Sequence, residues 1–278
     1  MPDFRRARVA LLEARLADQT AAMVRRLGGE PMSVPAVREV VQPLPDLEDV
    51  IVRLASAPDP LVVCLTGAGV HALFAYAVGQ GLEPALTRAL AGATTVCRGP
   101  KPAGARGARA LPVSIRAAAP FTTGEVIDAV ALLALQGRVV AVVHHGERNA
   151  ALVDYLRARG ADVRELMPYE WRMPENPAPL DRLVELAVAG GVDAVAFTSQ
   201  VQVKHLWERA GSNRTALRDA LNRRVLTGAV GPTCAAALAA NGVEPAVVAS
   251  PPKLNVLLLA LADACERMRA AHPLADPT

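Results

Sequence analysis

Four short loops carry the residue types that could hold anions. Thr66-Gly67-Ala68-Gly69 and Thr198-Ser199-Gln200 end apolar runs with small hydroxylic residues. Arg98-Gly99-Pro100-Lys101 and Gly231-Pro232-Thr233-Cys234 do the same one unit later. Each loop is read as the opening of a helix, and a helix N-terminus offers unpaired N–H donors and partial positive charge to carboxylates or phosphates. Thr, Ser or Gly in such a place also simply caps its own helix, so one loop alone says little. Four loops in matched places point to a ligand with several anionic groups. Tyr169, in Leu166-Met167-Pro168-Tyr169-Glu170, adds a phenolic donor. On its own it reads as a packing tyrosine before it reads as a functional one.

Other chemistries have less support. His71, His144, His145, His205 and His272 form no metal-binding spacing, and the adjacent pair ends a strand with its rings on opposite faces. Cys64, Cys97, Cys234 and Cys265 lie far apart, with neither zinc spacing nor a disulfide framework. Gly67-Ala68-Gly69-Val70-His71-Ala72 fits the dinucleotide pattern with alanine in the third place. However, Glu83 lies in a Gly-Leu-Glu-Pro turn rather than at a strand end, and the second copy of the loop has no glycines. A nucleotide-binding oxidoreductase stays open as a minor alternative.

The elements that position these loops repeat. Thr66 and Thr198, Gly99 and Gly231, and Gly28 and Gly160 are each 132 residues apart, and Arg8–Arg15 matches Arg138–His145 with a two-residue shift. Two similar units imply two domains and a cleft, where small-molecule sites tend to lie. Strands are expected at residues 9–12, 30–34, 61–65, 94–97, 139–143, 162–166, 194–197, 225–230 and 246–249. Their apolar runs are continuous rather than alternating, as in parallel sheets covered on both faces. Helical patterns over residues 18–27, 47–55, 70–78, 124–135, 150–159, 180–189, 203–209, 215–222, 234–241 and 256–271 separate them. This alternation predicts two doubly wound α/β domains. The proline-rich segments 36–45 and 167–179 interrupt the rhythm at matching places and read as interdomain crossings. Sequence alone also allows a tandem division near residue 135.

Composition agrees with a globular enzyme or binding protein. A hydrophobic fraction of 52% with only 3% aromatics implies interiors of Val, Leu and Ala. The net charge of +3 gives no electrostatic reason to expect a nucleic-acid or membrane-surface partner. The N-terminal stretch, broken by Glu13 and Arg15, does not read as a signal peptide, and no apolar run reaches spanning length. A cytoplasmic location is expected.

Taken together, the motifs resemble those of the uroporphyrinogen-III synthase family. Phe197-Thr198-Ser199 is similar to its strand end. Val230-Gly231-Pro232-Thr233-Cys234, followed by Gly242-Val243-Glu244-Pro245, is similar to its Gly-Pro-Thr-Thr loop and Gly-x-x-Pro turn. Pro168-Tyr169 resembles the family's crossing tyrosine, and Val143-His144-His145-Gly146-Glu147-Arg148 its mid-chain strand–Gly loop. The resemblance implies two similar domains facing each other across a cleft: residues 1–37 with 172–278, and 42–166, crossed at 38–41 and 167–171. It implies a monomer acting without metal or organic cofactor on a linear tetrapyrrole polycarboxylate, cyclised to uroporphyrinogen III. Tyr169 would be the catalytic donor. Thr66, Gly67, Arg98, Gly99, Lys101, Gly146, Arg148, Thr198, Ser199, Gln200, Gly231, Pro232, Thr233 and Cys234 would line the substrate site. Cys234 stands where the family has a second threonine, Pro102 occupies the matching place in the first copy, and Thr66-Gly67 replaces the usual Thr-Ser. These departures also suit a ligand-sensing relative without turnover.

Overall fold

Apolar runs such as Leu61–Cys64 and Ala194–Phe197 are buried at every position. Leu61 and Val63 enter one hydrophobic layer, Val62 and Cys64 the opposite one. Val195 and Phe197 likewise face one layer, and Ala194 and Ala196 the other. Helices on both faces of a parallel sheet produce this pattern. The computed structural model describes residues 2–14 and 16–271, so His272 lies outside the described residues.

The chain divides into two units, Met1–Arg38 with Arg172–Thr278, and Glu39–Trp171. The first opens with β1 (Arg8–Leu11), α1 (Ala17–Arg26) and β2 (Glu30–Ser33). After β3 (Arg38–Val41) come α2 (Leu47–Ser56), β4 (Leu61–Cys64), α3 (Gly67–Gly79), α4 (Glu83–Ala91) and β5 (Thr94–Cys97). The second unit continues through α5 (Pro100–Gly107), β6 (Ile115–Arg116), α6 (Thr123–Ala131), β7 (Val139–Val143), α7 (Ala150–Ala158) and β8 (Asp162–Leu166). After β9 (Tyr169–Arg172) the first unit resumes with α8 (Ala178–Ala189), β10 (Ala194–Phe197) and α9 (Gln200–Ala210). It is completed by α10 (Arg214–Arg223), β11 (Leu226–Ala229), α11 (Pro232–Ala239), β12 (Val247–Val248) and α12 (Leu254–Ala271).

The strand orders are β12-β11-β10-β1-β2 and β6-β5-β4-β7-β8, with parallel pairing throughout both five-stranded sheets. They are one topology: β10, β11 and β12 match β4, β5 and β6, while β1 and β2 match β7 and β8. In each, the winding direction reverses between two central strands, β10 and β1 or β4 and β7, and crevices at the carboxyl ends of such strands bind ligands.

The sequence repeat maps onto this symmetry. Gly28 precedes β2 at φ 71° and Gly160 precedes β8 at φ 78°, a left-handed conformation that glycine adopts without steric cost. Gly99 and Gly231 are the N-caps of α5 and α11. Thr66 is the N-cap of α3, but that role falls in the other unit to Ser199, one residue beyond Thr198.

Three local expectations change. Glu83 begins α4, with Pro84 in its first turn, rather than sitting in a turn. The glycine-rich stretch Pro100–Gly107 holds a full helix despite its poor intrinsic propensity. The proline-rich crossings also contain paired strands, β3 and β9, where irregular chain was expected.

Candidate functional site

In the first unit the loop after β10 is fixed by a residue that the sequence reading passed over. Gln202, 3% exposed, sits in the first turn of α9. Its Oε1 accepts the N–H groups of Thr198 at 2.7 Å and Ser199 at 3.3 Å. Its Nε2 donates to the Leu12 carbonyl at 3.1 Å and to Thr198 Oγ1 at 2.8 Å. Ser199 Oγ accepts the Gln202 N–H, completing a capping box whose Ser-x-x-Gln pattern was visible in the sequence. Thr198 Oγ1 donates to Glu13 Oε2 at 2.9 Å, joining the ends of β10 and β1 across the switch point. The N–H groups of Thr198 and Ser199 are therefore not unpaired donors, as the sequence reading had them. Gln200, half-buried, begins the helix beside them.

The next loop differs. Gly231 caps α11 in extended conformation, with Pro232 at the first helical position and no side-chain cap. Its Cα is shielded by Pro252; an added Cβ would lie 3.0 Å from that ring. Pro232 and Thr233 are exposed, whereas Cys234 is buried with its thiol donating to the Phe197 carbonyl at 3.6 Å. Burial pushes the Cys234 pKa up to about 12, so the thiol stays protonated at neutral pH.

In the second unit Thr66 Oγ1 caps α3 by accepting the Ala68 N–H at 3.1 Å. The glycines behind it serve close packing. A Cβ on Gly67 would stand 2.8 Å from the Lys101 carbonyl oxygen, and one on Gly69 2.7 Å from that of His144. This packing accounts for both glycines of the dinucleotide-like pattern. Gly99 caps α5 as Gly231 caps α11, with no side-chain cap and an aromatic ring, Phe121, against its Cα. Lys101 is exposed in the first turn of α5.

Arg98 follows β5, half-buried and without a carboxylate partner among the described residues. Burial pushes its guanidinium below the ordinary value, and the nearby Tyr169 partly offsets that. Tyr169 itself is 1% exposed and packs edge-on against Trp171, with ring centroids 6.1 Å apart. Its phenol is thus enclosed rather than presented at a surface. Trp171 also packs at 5.5 Å against His145 and covers Gly146, whose φ of 85° and missing Cβ make room for the indole. Arg148 is committed elsewhere, donating to both Glu165 oxygens at 2.8 and 3.1 Å.

The two histidines after β7 play different parts. His144 is fully buried; its Nδ1 accepts the Asn149 N–H at 3.2 Å, which leaves the proton on Nε2, 3.0 Å from Glu165. His145 has a buried Nδ1 with no hydrogen-bond partner. Burial first, then the charge of Arg98 and the neighbouring His144, push its pKa down to about 3. His145 and Trp171 were missed as site residues; the sequence signal was a Trp inside the crossing segment, one of only two in the chain. Among the described residues, no group of three or more His, Cys, Asp or Glu could hold a metal ion, and no helix is long and apolar enough to cross a membrane.

The family model described as uroporphyrinogen-III synthase HemD matches residues 18–258, running through both units. The chain belongs to the uroporphyrinogen-III synthase family. Among solved structures, it is similar to a mutant uroporphyrinogen III synthase from the extremely thermophilic bacterium Thermus thermophilus, at 33% identity and a TM-score of 0.79. That likeness covers 94% of this chain and 99% of the other. The synthetase from Helicobacter pylori 26695, at 15% identity and a TM-score of 0.54 over 92% and 99% of the two chains, shares the fold. A Bacillus subtilis (strain 168) protein named YjjA, described as uncharacterized, is 27% identical over 92% of this chain and 94% of its own length.

Proposed function

We propose that this protein cyclises hydroxymethylbilane to uroporphyrinogen III, with loss of water and inversion of ring D. The observation that carries this reading is a family likeness that spans both units and takes in both uncapped helix starts, after Gly99 and Gly231. Loss of the terminal hydroxyl leaves an azafulvene-like cation. The substituted carbon of ring D attacks it to give a spiro intermediate, which rearranges before the ring closes. The substrate closes unaided to the wrong isomer, so the protein's task is to hold the chain in the geometry that favours inversion.

The residues have matching roles. The single Lys101 N–H after Gly99 and the Thr233 and Cys234 N–H groups after Gly231, with the exposed Lys101 and Thr233 side chains, bind acetate and propionate carboxylates. Arg98 supplies a cation that no carboxylate of the described chain neutralises. Tyr169 donates a hydrogen bond to the departing hydroxyl, which requires its aromatic cover to part when substrate enters. Thr66, Thr198 and Ser199 act mainly by holding their loops.

The test is incubation with hydroxymethylbilane followed by separation of the type I and type III isomers. Isomer III above the spontaneous background is expected; its absence would remove the reading. The enclosure of Tyr169 favours a second reading, a tetrapyrrole-binding protein without turnover, which that absence together with product binding would establish. Tyr169→Phe is expected to slow isomer III formation about tenfold or more with little change in stability. Unchanged turnover would return Tyr169 to packing.

A further inference from the structure

Two polar groups stand at the strand ends of the second unit, one a buried ring nitrogen without a hydrogen bond and the other a half-buried cation without a carboxylate among the described residues. Arg98 follows β5 and His145 lies two residues beyond β7, the two strands that flank β4 in the sheet. The Arg98 guanidinium is half-buried with no acid beside it, and His145 Nδ1 is enclosed without a hydrogen bond. Partly desolvated cations and orphaned ring nitrogens each cost free energy, and a bound carboxylate would remove that cost for both. The two are electrostatically coupled, since Arg98 acts directly on the His145 ring. Tyr169, next to Arg98, and Trp171, packed on both aromatic neighbours, form an apolar wall beside them.

We propose that Arg98 and His145 form a carboxylate-binding subsite of the second unit, taking one acetate or propionate arm of a tetrapyrrole. This rests on the proposed function and adds to it a named pair of donors for a single arm. A carboxylate has enough lone pairs to accept from a guanidinium and a protonated imidazole together. Its negative charge, in direct contact with the ring, opposes the burial that chiefly lowers the His145 pKa as well as the influence of Arg98, so binding the arm draws a proton onto His145. The groups bearing on that ring are Arg98 and His144; Tyr169 packs on the same indole, Glu170 and Arg172 flank the indole on β9, and Glu147 and Arg148 follow in the loop.

The experiment uses uroporphyrin III as the probe. The full chain is titrated by calorimetry at about pH 6.5 in two buffers of different ionisation heat, which yields the protons taken up per molecule bound. Wild type is expected to bind with proton uptake. His145→Gln should bind about tenfold more weakly and without that uptake, and Arg98→Gln should also lose about tenfold. Arg98→Lys, which keeps the charge, should recover to within about threefold of wild type. Circular dichroism confirms that each variant is folded. If both Gln variants bind as wild type does, the subsite is wrong and the proposed function stands. Weaker binding with proton uptake unchanged in His145→Gln removes His145 and overturns the pair. If the folded wild type does not bind uroporphyrin III, the subsite falls, and the isomer assay alone decides the proposed function.

Discussion

The two units share a topology but close their switch points by opposite means. In the first, the third residue of α9 is Gln202, whose amide holds Thr198, Ser199 and Leu12 while Thr198 reaches Glu13. In the second, the third residue of α3 is Gly69, and the helix start lies directly on the His144 carbonyl because no side chain intervenes. One unit fills the gap with a polar side chain, the other by removing one. The consequences reach the ligand chemistry. The first unit uses its strand-end polar groups on itself, whereas the second leaves the His145 Nδ1 without a hydrogen bond and Arg98 without a carboxylate among the described residues. The two halves are thus unequal in how they use the polar groups at their strand ends.

The largest expected effect comes from forcing the second unit toward the first. Gly69→Val places a branched side chain where even a Cβ would be 2.7 Å from a backbone oxygen. Backbone cannot turn aside as a flexible side chain does, so a loss of about 3 kcal/mol in urea unfolding is expected. A loss below about 1 kcal/mol would mean that α3 slides freely on β7 and the close packing carries little weight. Next is the reverse change in the first unit. Gln202→Leu keeps the volume but leaves two N–H groups and the Leu12 carbonyl unpaired, at a cost of about 2 kcal/mol. If the cost were near zero, water would be replacing the amide and the contrast between the units would be weaker than it looks.

Much of this architecture was legible in the chain, for physical reasons. Runs such as Val139–Val143 and Ala194–Phe197 read as strands because burial on both faces removes every polar residue. The repeated glycines registered because Gly28 and Gly160 need positive φ and Gly99 and Gly231 meet close neighbours. What escaped was determined by tertiary context. β3 and β9 are four residues each and lie among prolines, and they exist because each supplies the other's hydrogen bonds. α5 forms from a glycine-rich stretch that no propensity scale favours, with Ala105 and Arg106 anchoring it in the interior. At the site, Thr198 and Thr66 looked equivalent by spacing, but the cap position had moved by one residue to Ser199. Arg148 looked like a free cation until Glu165, 17 residues away, turned out to be its partner. The Arg98 and His145 pairing could not be read at all, because it depends on which strands flank β4.

A smaller effect should appear in the acid limb of stability. His145 has a folded-state pKa of about 3 against an ordinary 6.5, with burial as the leading cause. Between those values the unfolded chain binds the extra proton, so its contribution is fully present above about pH 6.5 and is lost as pH falls toward 3. His144, also lowered mainly by burial, acts in the same direction. His145→Gln should therefore flatten the decline in stability between about pH 6.5 and 4 by about 1 kcal/mol, a figure reduced for the ring's partial exposure. A decline as steep in His145→Gln as in the wild type would show that this ring does not set the acid limb.

The smallest effect concerns the residue where this chain departs from its family's loop. Cys234 is buried, and its thiol donates to the Phe197 carbonyl at the end of β10. A threonine hydroxyl there would meet the same acceptor, so the departure keeps a structural hydrogen bond at this place. Pro102, at the matching place in the second unit, is also buried and has no donor, which shows that the position can do without one. Cys234→Thr is accordingly expected to change stability by less than about 1 kcal/mol and the rate of isomer III formation by less than about twofold. A gain of tenfold would mean that the hydroxyl reaches substrate and that this chain carries an impaired loop. Labelling gives an independent check. With the thiol enclosed and its pKa raised to about 12, a maleimide should fail to modify Cys234 at pH 7 until the first unit unfolds.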